Sequence, residues 1–90
     1  MRIEAQLVIV ACDDYEWLFV NGKFVDSGHM IDKYTLLKAI HQHELDGSYA
    51  TYEISSTYLD ENGGDLPDLF EEVPTSELNL LSYADKRKSP

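Results

Sequence analysis

Cysteine occurs once in this 90-residue chain, at position 12, so no intrachain disulfide framework exists and a reducing, cytoplasmic setting is the expected one. Long apolar runs are also missing. The longest, Leu7 to Cys12, falls far short of the ~20 residues that cross a bilayer. The N-terminus lacks the basic and apolar regions of a secretory signal, so no export is expected. The most telling absence is of positive charge: from Ala39 to Asp85 there are eleven Asp and Glu and no Lys or Arg. Nucleic acid and anionic membrane are held by clustered cations, so direct binding to either is not expected.

What is present is acid. Seventeen carboxylates face seven basic residues, for a net charge of −10. Lys86, Arg87 and Lys88 sit just before the terminal Ser89-Pro90, so residues 1–84 are expected to form one domain and 85–90 a frayed basic tail. Such an imbalance favours solubility and steers the molecule toward cationic partners.

The pattern predicts a small α+β fold. Arg2 to Cys12 reads as a strand, one-sided at first and apolar on both faces later. Tyr15 to Ser27 reads as a β-hairpin, because Asn21-Gly22 suits a two-residue type I′ turn whose central residues both take positive φ. That register sets Val20 against Lys23, Phe19 against Phe24, Leu18 against Val25, Trp17 against Asp26, Glu16 against Ser27 and Tyr15 against Gly28. Asp32 to Leu45 reads as a helix capped by Asp32 and stopped by Asp46-Gly47, with Leu36, Leu37 and Ile40 inward. Ser48 to Leu59, rich in Tyr, Thr and Ile, reads as a second long strand with Ala50, Tyr52, Ile54 and Tyr58 on one face and a solvated opposite face. Asp60 to Asp65 reads as a turn, Leu66 to Val73 as a short helical turn begun by Pro67, and Pro74-Thr75-Ser76 as a break. Glu77 to Tyr83 is a final element of either type. The expected architecture is a small antiparallel or mixed sheet with one principal helix on one face.

Three groupings invite chemistry. The hairpin register brings Asp14 beside His29, a pairing that serves acid–base catalysis in some enzymes and closes a hairpin in others. No nucleophile stands with it, and no catalytic residue is assigned. His41 and His43 are two apart on a helix and point to different sides, so they cannot share a metal ion. Asp60-x-Asn62-x-Gly64 imitates a calcium loop, but Asp65 stands where glycine is required and Pro67 where a β-former belongs. No metal or cofactor is expected.

The hairpin stretch Asp13 to Lys23, with Val25, Gly28-His29 and the later Leu66-Pro67-Asp68-Leu69, resembles a group of short uncharacterised phage and bacterial proteins. Those run D-(W/Y)-E-x-L-(Y/F)-(V/I)-(D/N)-G-K, then G-H, then a helix, a strand and a Leu-Pro segment. The resemblance spans roughly residues 7 to 74 and carries no assigned activity. It implies a phage or mobile-element context. By analogy with small acidic phage proteins it implies an inhibitor of host machinery, anti-CRISPR proteins being one such class.

The expected function is therefore binding rather than catalysis: an acidic module docking on a basic, nucleic-acid-binding surface of a partner protein. Asp60, Glu61, Asp65, Asp68, Glu71 and Glu72 would supply charge, and Trp17, Phe19 and Phe24 apolar anchors. The alternative is a self-associating structural or regulatory module without ligand chemistry, pairing through strand Ser48–Leu59 or the aromatic hairpin face. Monomer and homodimer are both compatible with the sequence.

Overall fold

A computed structural model describes residues 5–45 and 47–85; the expected strand start at 2–4, Asp46 of the helix stop and the basic tail from Lys86 lie outside the described residues. The chain runs β1 (Leu7–Cys12), β2 (Tyr15–Val20), β3 (Lys23–Gly28), α1 (Lys33–Gln42), β4 (Ser48–Ile54), α2 (Ser56–Glu61), 3-10 turns at Phe70–Glu72 and Thr75–Glu77, and β5 (Leu78–Asp85). The five strands form one mixed sheet in the order β3-β2-β1-β4-β5. Only β1 and β4 are parallel neighbours, the chain passing from β3 through α1 to β4; the other neighbours are antiparallel. This is the α+β architecture expected, with α1 as its principal helix.

Alternation along β1 divides the core in two. Val8, Val10 and Cys12 join Trp17, Phe19, Ala50, Tyr52 and Ile54 on one face, which Leu59, Leu66, Phe70 and Val73 close. Leu7, Leu18 and Val20 join Ile31, Ala39 and Leu45 on the other, with Ile9, Leu36, Ile40 and Tyr49 packed against them. Helix α1 covers the second face and residues 55–77 cover the first. Tyr49 is thus half-buried against the α1 cluster and not on a solvated face as expected.

The hairpin turn forms as its sequence dictates, with φ of 51° at Asn21 and 81° at Gly22. Val20 meets Lys23 and Phe19 meets Phe24, but the ladder then shifts by one residue. Leu18 meets Asp26, Trp17 meets Ser27 and Glu16 meets Gly28, with Val25 the extra residue of a bulge. A two-residue turn dictates only the nearest pairs, and β3 is an edge strand that can absorb an added residue.

Asp32 caps α1 as expected, its Oδ1 accepting the Thr35 N–H at 2.7 Å. The buried stripe is narrower than its periodicity suggested: Ala39 is buried, Leu36 and Ile40 are half-buried, and Leu37 is 65% exposed. The helix stops at Gln42, and Glu44 adopts a φ of 52° that turns Leu45 into the core.

The largest departure is at Ser48–Leu59. The strand ends at Ile54 because the Ser55 hydroxyl accepts the Tyr58 N–H at 3.2 Å and starts α2. Tyr58 therefore does not continue the strand face. Gly63 and Gly64, both at positive φ, end the helical path begun by α2. The apolar positions of Leu66–Val73 are as expected, but the helical turn there is confined to Phe70–Glu72. Strand β4 lies between β1 and β5 with both of its edges paired, so self-association through an edge at Ser48–Leu59 is excluded. The undecided final element is β5.

A candidate protein-binding surface on the acidic layer

The layer formed by residues 55–77 is fastened to the sheet at three points along its length. At one end Leu59 enters the core from α2. In the middle the Trp17 indole Nε1–H donates to Asp65 Oδ1 at 3.0 Å, and the Leu66 N–H donates to the same oxygen at 2.9 Å. At the far end the Phe24 N–H donates to the Asp68 carbonyl and the Phe70 N–H to the Gly22 carbonyl, both at 2.8 Å, strapping the segment to the hairpin turn. Lys23 and Leu69 form a β-bridge there. Phe70 then packs its ring 5.5 Å from Phe19 and 5.4 Å from Tyr52. Each such ring pair is worth about 0.5–1.5 kcal/mol beyond area burial.

With Leu59, Leu66, Phe70 and Val73 turned inward, the polar residues between them are turned out. Asp60, Glu61, Asp65, Asp68, Glu71 and Glu72 are all exposed. They follow the layer from the Cys12 end of β1 to the hairpin turn at its other end. The six charge candidates thus share one layer, as a band rather than a point cluster. Asp65 has a second role that sequence reasoning missed, since it satisfies the hydrogen-bonding group of a buried indole 48 positions away.

The apolar candidates divide differently. Trp17 and Phe19 are 2% and 0% exposed, so as partner-facing anchors they are excluded: both point into the core beneath the acidic layer. The hairpin's aromatic face is consequently interior, apart from Phe24. Phe24 is 39% exposed, with its ring edge-on to Phe19 at 6.1 Å, and it borders the band next to Asp68.

The remaining groupings are modest. His29 Nδ1 lies 3.8 Å from Asp14 Oδ2 despite the ladder shift, with both side chains more than four-fifths exposed, which describes a solvated surface contact. Glu16 accepts the Ile31 N–H at 2.7 Å and ties the approach to α1 onto β2. Cys12 is buried beside the band. Burial first, then the carboxylates of Asp13, Glu53 and Asp60, push its thiol pKa up, the opposite of what a reactive thiolate requires. Among the described residues no group of three or more His, Cys, Asp or Glu could hold a metal ion, and no helix is long and apolar enough to cross a membrane.

The α1 side presents an apolar groove of about 320 Å³ between Leu36 and Ile40 of the helix and Tyr49, Ser82 and Ala84 of β4 and β5. No family model, curated protein or solved structure matches the chain.

Proposed function

We propose that the protein is a binding module whose acidic layer docks on a basic, nucleic-acid-binding surface of a partner protein, acting there as an inhibitor of phage or mobile-element type in the cytoplasm. One observation carries the reading: six exposed carboxylates lie along a single layer in a stretch, Ala39 to Asp85, that contains no Lys or Arg. That stretch supplies no cation to neutralise them, Lys23 of the hairpin beside Leu69 being a basic neighbour at the band's end, and such an acidic excess accelerates encounter with a positive surface. Asp60, Glu61, Asp68, Glu71 and Glu72 provide charge without a core duty. Asp65 holds the layer in place, and Phe24 offers an apolar contact at its margin.

The test separates the layer from net charge. One variant converts Asp60, Glu61, Asp68, Glu71 and Glu72 to their amides; a control converts Asp14, Asp26, Asp32, Glu44 and Asp85, reducing the −10 charge by the same amount. Binding is read by anisotropy of a fluorescent arginine-rich peptide and by displacement of duplex DNA from a basic DNA-binding domain. The first variant is expected to lose binding and the control to keep most of it, with on-rates falling as salt rises. Equal losses, or rates indifferent to salt, would remove the proposal.

A further inference from the structure

The two edges of the sheet are treated differently. The β3 edge is strapped by residues 68–70 at Lys23 and Phe24, carries Lys23 and Asp26, and contains the bulge at Val25. These are the usual devices that stop a strand from recruiting another. The β5 edge has far fewer. At eight residues β5 is the longest strand of the sheet, it has no charged residue and no proline from Leu78 to Ala84, and Leu80, Leu81 and Tyr83 are 41%, 55% and 38% exposed. Among the described residues its guard is the ladder shift that makes Leu81 the extra residue opposite β4.

We infer that β5 is a homodimerisation edge, pairing antiparallel with β5 of a second copy to make one continuous ten-stranded sheet from two five-stranded ones. Two features select a twin over another occupant. First, charge matches. A two-fold axis at Ser82 sets Leu81 against Tyr83, Leu80 against Ala84 and Asn79 against Asp85, so no like charges meet, and a basic strand would find no carboxylate from Leu78 to Ala84. Second, the pairing closes on itself. Head-to-tail growth would need the β3 edge, which is strapped at Lys23 and Phe24 and bulged at Val25, so β5 with β5 is the pairing that yields a finite pair and not a fibre. The two-fold places both copies of α1 on the same side of the joined sheet, and the apolar grooves lined by Leu36, Ile40, Tyr49 and Ala84 flank the seam.

This surface is separate from the acidic layer, and salt tells them apart. Screening weakens docking of carboxylates on a cation but strengthens association of two chains that each carry −10. Sedimentation equilibrium from about 1 µM to about 1 mM, the range for a small interface, should show mass rising toward twice the monomer, and further so at higher salt. Leu81→Lys, at an exposed bulge position, should abolish the rise without lowering the melting temperature. Register is tested by cross-linking: Ser82→Cys should form an interchain disulfide under mild oxidation and Asn79→Cys should not, because only position 82 faces its own copy. The buried Cys12 serves as internal control. A strict monomer at 1 mM, growth beyond the dimer, equal cross-linking at both positions, or occupation of the edge by an unrelated strand peptide in preference to a twin would each overturn the inference.

Discussion

The sheet is covered on one side by a helix of three turns and on the other by a mostly irregular stretch, and the irregular side is the better packed. Helix α1 buries one residue, Ala39, and leaves Leu37 and Tyr34 in solvent beside an apolar groove. Residues 55–77 bury Leu59, Leu66, Phe70 and Val73 and are held by a side-chain hydrogen bond and a backbone strap. The charges divide too. Lys33 and Lys38 lie on α1, whereas the opposite layer has carboxylates alone. Regular secondary structure and tight packing are separate properties: the helix satisfies its own backbone, whereas the irregular stretch must borrow partners from the sheet and is fixed by doing so.

Truncation measures that contrast most directly. Phe70→Ala removes a ring packed on Phe19 and Tyr52 and should cost about 3–5 kcal/mol in urea unfolding. Asp65→Ala leaves the Trp17 N–H buried without its acceptor and should cost about 1–3 kcal/mol, whereas Asp65→Asn, which keeps a carbonyl oxygen there, should cost less. If both Asp65 variants are neutral, the middle fastening of the acidic layer is dispensable.

Smaller effects follow from titration. The native thiol of Cys12 has a raised pKa, so above the ordinary thiol range, about 8.5, the unfolded chain gives up its proton while the native chain retains it. Stability is thus fully held below that range and declines as pH climbs through it, and that decline should vanish in Cys12→Ser. Hydrogen bonding to Thr35 lowers the Asp32 pKa, so its contribution is present above the ordinary carboxylate range and lost as pH falls through the native value. Melting curves of wild type and Asp32→Ala should converge at acid pH. Least of all should Leu37→Ala matter, within about 0.5 kcal/mol, because its side chain is largely in solvent. A larger loss would show that the helix layer packs more closely than its exposure implies.

How legible these regions were tracks how local their causes are. The Asn21-Gly22 turn and the Asp32 cap act within four residues and could be read directly. The sequence of β4 reads longer than the strand because Thr57 and Tyr58 have β-propensity, and the competing signal, a serine hydroxyl three residues before an N–H, is common and weak. The one-residue shift in the hairpin left no mark in its alternation. The burial of Trp17 and Phe19, and with it their loss as anchors, depended on residues 66–70 folding back over the hairpin, a contact across some fifty positions for which no pattern exists. The carboxylates could be read as exposed, but their gathering on one layer could not, since it follows from the inward residues spaced between them.

Trp17 is the only tryptophan of the chain, and its indole donates to a carboxylate of the acidic layer. The protein therefore carries its own optical gauge. Any event that pulls Asp65 toward a cation or lifts residues 66–70 from the hairpin alters the field and hydration at that one fluorophore. Occupancy of the acidic face becomes measurable on the unlabelled molecule, by a signal that association at β5, on a different strand edge, leaves unchanged.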